Sequence, residues 1–199
     1  DAPRGDPVQC GRRDRRPEGE TVTRSPDTLI LGWGNPGRGD DGLGPELVRV
    51  IGERGLPGVV TDSDYQLQIE NGAQVARYRR VVFVDADRTG AEPFWLDRLL
   101  PQDGGWTFST HSVSPATVLA LARDLFQAEP EAWLLGIRGY EFDEFHEQLS
   151  TRARSNLDEA VEFLTSAVRG GGMREIRRRA IIKSTINDHE GEPCQTTSP

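Results

Sequence analysis

Apolar residues recur along this chain in two rhythms. Short continuous runs, at Leu29-Ile30-Leu31, Val81-Val82-Phe83-Val84 and 132–137, alternate with stretches in which apolar residues fall three and four apart. A continuous run suits a strand buried on both faces. The three-and-four spacing suits one face of a helix. The pattern predicts strands over 28–33, 58–61, 80–85, 106–109 and 132–137. It predicts a helix over 45–53, with Leu47, Val48 and Ile51 inward and Gly55 closing it, and a short one over 69–78 that Gly72 weakens. Ser114-Pro115 reads as an N-cap followed by proline at the first helical position. That helix carries Val118, Leu119, Leu121, Ala122 and Leu125. A long helix over 149–168 has Leu157, Ala160, Val161 and Leu164 as its stripe. The alternation predicts an α/β fold: a single-domain, three-layer sandwich with a mainly parallel, twisted central sheet and helices on both faces.

Composition sets the limits of that domain. Residues 1–27 hold 6 basic and 6 acidic side chains and few apolar ones, so a disordered N-terminal segment is expected. Residues 170–199 open on three glycines, run through Arg177-Arg178-Arg179 and read as a flexible tail. The domain spans 28–169. Net charge over the 199 residues is −8, and between the two ends it is −9. An acidic core disfavours nucleic acid as a partner. The arginine cluster is better read as a solvated tail. Cys10 and Cys194, both in polar flanking segments, make no disulfide framework and no cysteine metal site, which fits a cytoplasmic protein. No apolar stretch reaches the ~18 residues of a membrane span, and no apolar segment near the N-terminus suggests a signal peptide.

The turn after the first strand carries the most chemistry. Leu31-Gly32-Trp33-Gly34-Asn35-Pro36-Gly37-Arg38-Gly39-Asp40-Asp41-Gly42 holds five glycines and a pair of carboxylates where a helix begins. Glycines let a loop fold tightly and approach closely. Gly32, Gly34 and Gly37 match the dinucleotide fingerprint by letter. Two carboxylates at that helix start would repel a pyrophosphate, so nucleotide binding is disfavoured. Arg38-Gly39-Asp40 matches a cell-adhesion tripeptide, which we read as coincidence.

In mainly parallel sheets, ligands bind beyond the carboxyl ends of the strands. Asp41, Asp85 and His111 all fall at those ends. Each has a plainer reading alone: Asp41 as charge near a helix N-terminus, Asp85 as a turn cap, His111 as a satisfied loop histidine. Taken together, two carboxylates and an imidazole can hold a borderline metal. Three ligands with open positions is the pattern of a catalytic site. His146 and His189 lack such placement.

Three motifs carry a family resemblance. The segment from Leu31 to Gly44, with Gly32, Gly34-Asn35-Pro36 and Asp40-Asp41-Gly42, resembles the opening of the hydrogenase maturation endopeptidases. Val84-Asp85-Ala86 resembles that family's second motif, and Ser109-Thr110-His111-Ser112-Val113-Ser114-Pro115 its third. The resemblance covers residues 28–168. It implies an α/β fold and a hydrolase, an aspartic-type or nickel-dependent endopeptidase that removes a C-terminal peptide from the large-subunit precursor of a nickel-iron hydrogenase once nickel is in place. It implies no organic cofactor; the nickel arrives with the precursor. By motif, Asp41, Asp85 and His111 would contact that metal. Two stretches depart from the family. Residues 62–68 lack the glycine-rich loop that some members use in substrate selection, and Gln66 and Gln68 are expected to line the substrate groove instead. Residues 138–145 replace a Pro-Glu turn. A monomer is the expectation from size.

Two other readings share some of these residues. A non-catalytic nickel-sensing chaperone or scaffold for the precursor could use the same three. A peptidyl-tRNA hydrolase has a similar Gly-Asn-Pro-Gly turn, but it continues with a histidine where this chain has Asp40-Asp41, and it must bind a polyanion.

Overall fold

Three of the four strands that the pattern marks outside 106–109 keep close to their expected bounds, and the fourth runs longer. The computed structural model describes residues 27–102, 113–142, 146–170 and 172–173. Its strands are β1 (Thr28–Trp33), β2 (Val59–Asp64), β3 (Arg80–Asp87), β4 (Phe94–Leu99) and β5 (Glu131–Arg138). Its helices are α1 (Leu43–Arg54), α2 (Asn71–Val75), α3 (Pro115–Phe126) and α4 (Thr151–Arg169). The strands form one sheet in the order β2-β1-β3-β5-β4. All pairs are parallel except β4 with β5.

Alternation along the strands divides the core into two layers. Ile30, Val82, Val84, Leu135 and Ile137 face α1 and α4. Leu29, Leu31, Val81, Phe83 and Ala132 face the α3 side, with Val118, Leu119 and Ala122. The helix ends follow their sequence signals. Gly55 closes α1 in the left-handed conformation at φ 57°. The Ser114 hydroxyl accepts from the Thr117 N–H at 3.1 Å at the start of α3, and Ser150 caps α4 in the same way through the Ala153 N–H.

Some expectations need correction. The antiparallel edge strand is Phe94–Leu99, a stretch the pattern left unassigned; the expected strand over 106–109 lies outside the described residues. α2 is only Asn71–Val75. Its Gly72 brings it against α3, where an added Cβ would stand 2.9 Å from Leu121 Cβ. β2 continues to Asp64, because its edge position lets polar residues stay exposed. Leu125, expected in the α3 stripe, is 55% exposed, since burial in α3 stops at Ala122.

Candidate active site

The glycine-rich turn folds onto itself. At Gly34, φ is +135°, and a Cβ there would lie 2.0 Å from the Asp41 carbonyl oxygen. A Cβ on Gly32 would lie 2.5 Å from the Gly44 carbonyl oxygen. The start of α1 therefore rests directly on β1, an approach only glycine permits. The Asn35 side chain accepts from the Gly37 N–H at 2.9 Å, closing a small turn. The Asn35 N–H donates to Asp41 Oδ2 at 2.9 Å. The space that a dinucleotide loop would give a phosphate is filled by the protein's own backbone and a carboxylate, so the match of letters has no phosphate site behind it.

Asp40 and Asp41, adjacent in sequence, play opposite parts. Asp41 is half-buried. Asp40 is fully buried, at 0% exposure. Its carboxylate accepts from the N–H groups of Tyr140, Glu141 and Ser150 at 2.7, 2.9 and 2.7 Å, and from the Ser150 hydroxyl at 2.8 Å. Burial works against ionisation there, but those four donors outweigh it and hold the carboxyl below its ordinary value. The Arg38-Gly39-Asp40 tripeptide is thus not presented for adhesion.

Asp85 lies near the end of β3 and is partly buried. Among the described residues it accepts one hydrogen bond, from the neighbouring Ala86 N–H at 2.8 Å. Burial, followed by the charges of Asp41 and Asp87, pushes its carboxyl from an ordinary 3.8 up to about 7. Asp41 and Asp85 are therefore near enough to repel each other: the fold brings the two expected carboxylates together from positions 44 residues apart. His111 lies outside the described residues. Among the described residues, no group of three His, Cys, Asp or Glu side chains is arranged to hold a metal.

One flank of this pair is built from β4 and β5. The sheet register sets Asp85 beside Gly136, and Gly136 beside Trp95. A Cβ on Gly136 would stand 2.2 Å from the Trp95 ring, so the missing side chain makes room for the indole. Asp87 fixes that ring by accepting from its Nε1–H at 2.8 Å. Asp87 also accepts from the Thr89 and Gly90 N–H groups at 2.8 Å. The sequence carried a signal for Asp87, since Asp-x-Thr-Gly is an Asx-turn pattern. It carried none for Asp40, whose partners lie 100 to 110 residues away.

Gln66 and Gln68 are exposed on either side of buried Leu67, in the loop that leaves β2. That loop is at the same end of the sheet as Asp41 and Asp85. Tyr65 and Ile69 beside them are 67% and 50% exposed. No described contact joins the two glutamines to the carboxylate pair.

No family model matches the chain. It is 28% identical over 158 residues to a protein of Methanocaldococcus jannaschii provisionally named as a hydrogenase maturation protease, covering 72% of this chain and 97% of that one. Its fold is that of the nickel–iron hydrogenase maturation protease HycI of Thermococcus kodakarensis. That match has a TM-score of 0.57 at 22% identity and covers 73% of this chain and 94% of that one. The hydrogenase maturating endopeptidase HybD of Escherichia coli matches with a TM-score of 0.53 at 20% identity, covering 77% and 98%. The resemblance carried by the three motifs is thereby borne out: the chain is similar in sequence to a protein named for hydrogenase maturation, and it has the fold of the hydrogenase maturation proteases.

Proposed function

We propose that this protein is an endopeptidase that removes a C-terminal peptide from the nickel-loaded large-subunit precursor of a nickel-iron hydrogenase. The observation that carries the reading is the Asp41–Asp85 pair at the carboxyl end of the sheet, with one member poised near neutrality. A general acid or base works best when its pKa lies near the working pH. Asp85, at about 7, can take a proton from an attacking water and return it to the leaving amine. Asp41 is held by the Asn35 N–H; it keeps the local field negative and favours the approach of a cation.

The nickel in this proposal belongs to the substrate. Asp41, Asp85 and, by motif, His111 would contact it. Burial, with the charges of Asp41 and Asp87 added to it, raises the Asp85 pKa, and a divalent cation beside it would oppose that rise, so docking of the loaded precursor should expel a proton. A metal can also polarise the scissile carbonyl and acidify water. A precursor without nickel would lack the group that completes the site. Gln66 and Gln68 are proposed to flank the groove that receives the precursor, from their exposure on the loop at the same sheet end. The protein is proposed to act as a monomer, in the cytoplasm. The described residues include no helix long and apolar enough to cross a membrane.

The test is the intact mass of a large-subunit precursor incubated with this protein, with and without nickel. Loss of a short C-terminal peptide from the loaded form alone supports both the activity and the checkpoint. A stable complex with no mass change in either form would favour a scaffold. Equal cleavage of the nickel-free precursor would remove the checkpoint.

A further inference from the structure

We propose that Asp40 is a positioning residue: it sets the place of Asp41 by clamping the glycine-rich turn onto the β5–α4 junction. The proposal rests on Asp41 being a site residue, and it adds the device that holds Asp41 there.

Asp40 has no exposed surface, so it cannot touch a substrate. Both carboxylate oxygens are committed. Oδ1 accepts from the Ser150 N–H, and Oδ2 from the Tyr140 and Glu141 N–H groups and the Ser150 hydroxyl. The contact also runs the other way. The Asp40 N–H donates to the Glu141 carbonyl at 2.7 Å, the Gly39 N–H to the His146 carbonyl, and the His146 N–H to the Gly37 carbonyl at 3.1 Å. Gly139 makes the approach possible, since a Cβ there would stand 2.9 Å from Asp40 Cβ. Gly39 does the same on the other side with φ +59°, where a Cβ would lie 2.8 Å from the Glu141 carbonyl oxygen.

Asp41 is one peptide bond away. Its carbonyl lies over Gly34 and its carboxylate takes the Asn35 N–H, so it is pinned toward β1 on one side. The Asp40 clamp pins it toward β5 and α4 on the other. Ser150 is also the N-cap of α4, so the register of the turn is tied to the start of a 19-residue helix. A carboxylate with charge-assisted bonds to backbone donors is a stiff joint. Stiffness there matters, because small misplacements of a reacting group are costly.

The test needs a readout that simple destabilisation does not move, and one that does not depend on protease activity. The Asn35 amide provides it, because its hydrogen bond exists only while the Asp41 carboxylate is seated. Amide hydrogen exchange is followed by NMR on the full chain for wild type, Asp40→Asn, Ser150→Ala and, as reference, Asp41→Asn. Asp40→Asn puts an NH2 where the carboxylate faced donors. Its Asn35 amide should lose about tenfold in protection beyond whatever the β3 core amide of Val82 loses. Ser150→Ala should lose about threefold, and it carries the test if Asp40→Asn does not fold. Equal losses at Asn35 and Val82 in the folded variants would show that Asp40 supports only the fold, and would overturn the proposal. Against a nickel-loaded precursor, kcat should fall on the order of a hundredfold in Asp40→Asn with KM unchanged; a wild-type kcat would overturn it. If wild type cleaves nothing, the protease reading fails, and the exchange comparison still judges the clamp.

Discussion

Asp40, fully buried, and Asp85, partly buried, are carboxylates at one end of one sheet, and they have been driven in opposite directions. Asp40 is surrounded by four donors and its carboxyl is held below the ordinary range. Asp85 has one donor among the described residues and two like charges as neighbours, and it rises to about 7. Burial alone therefore does not decide what an acid does. Burial with donors makes an anchor that stays ionised and silent. Burial without them leaves a group that costs stability as an anion and is ready to exchange a proton near neutrality. Asp40 and Asp41 look equivalent as a pair of letters, yet the first is fully buried and the second only half-buried.

The sharpest way to break the comparison is to remove Asp85, the member whose pKa is raised. Asp85→Asn keeps shape and loses the exchangeable proton, so turnover of a nickel-loaded precursor should fall by about 10³-fold, within the usual range for general acid–base groups. Single-turnover mass spectrometry reads this, and residual turnover within tenfold of wild type would remove Asp85 from the chemistry.

Removing the anchor should act on stability as well as on turnover. Asp40→Ala leaves the N–H groups of Tyr140, Glu141 and Ser150 and the Ser150 hydroxyl without their acceptor, and should cost about 3 kcal/mol of unfolding free energy. Denaturant titration measures it, and a loss under about 1 kcal/mol would mean that water or another acceptor replaces the carboxylate.

Acidity divides the two in sign. Asp85 releases its proton near 3.8 when unfolded but near 7 when folded, so the folded state binds more protons between those values. Its contribution to stability is then greatest at low pH and falls as pH rises from about 4 to about 7. Asp40 works in reverse: its lowered folded value adds stability above the ordinary carboxylate range, and this is lost as pH falls below it. Asp85→Asn should accordingly be more stable than wild type by on the order of 4 kcal/mol at pH 8, with the gap closing toward pH 4. Thermal unfolding of both proteins across that range checks it; a gap that does not change with pH would mean Asp85 titrates normally.

The smallest effect belongs to the rim. Gln66→Ala and Gln68→Ala should leave the unfolding midpoint unchanged, because both side chains are exposed. KM for the precursor should rise about threefold, a difference below 1 kcal/mol. If KM does not move, the groove runs elsewhere.

How far the sequence reaches can be seen in particular residues. The runs at Leu29-Ile30-Leu31 and Val81-Val82-Phe83-Val84 marked β1 and the core of β3, because a strand covered on both faces must be apolar throughout. Ser114-Pro115 and Gly55 marked helix ends, because caps are local chemistry. Asp41 and Asp85 were legible as candidates because strand ends in a mainly parallel sheet converge on one edge. What stayed hidden was non-local. Phe94–Leu99 is bounded on one side by Pro93 and ends in mixed polar residues, and only its antiparallel pairing with β5 makes it a strand. Gly136 reads as an interruption of an apolar run until the Trp95 ring is seen against it.

The sequence by itself determined the layered α/β plan, the tight turn and the two carboxylates at the sheet edge, since each follows from periodicity, backbone freedom or position along a strand. Only the tertiary structure decided which carboxylate does what. The donors that quiet Asp40 come from Tyr140, Glu141 and Ser150, and Asp85 is lifted first by burial and then by the charges of Asp41 and Asp87. A carboxyl's acidity depends on what surrounds it in space, and the chain supplies most of those surroundings from far along its length.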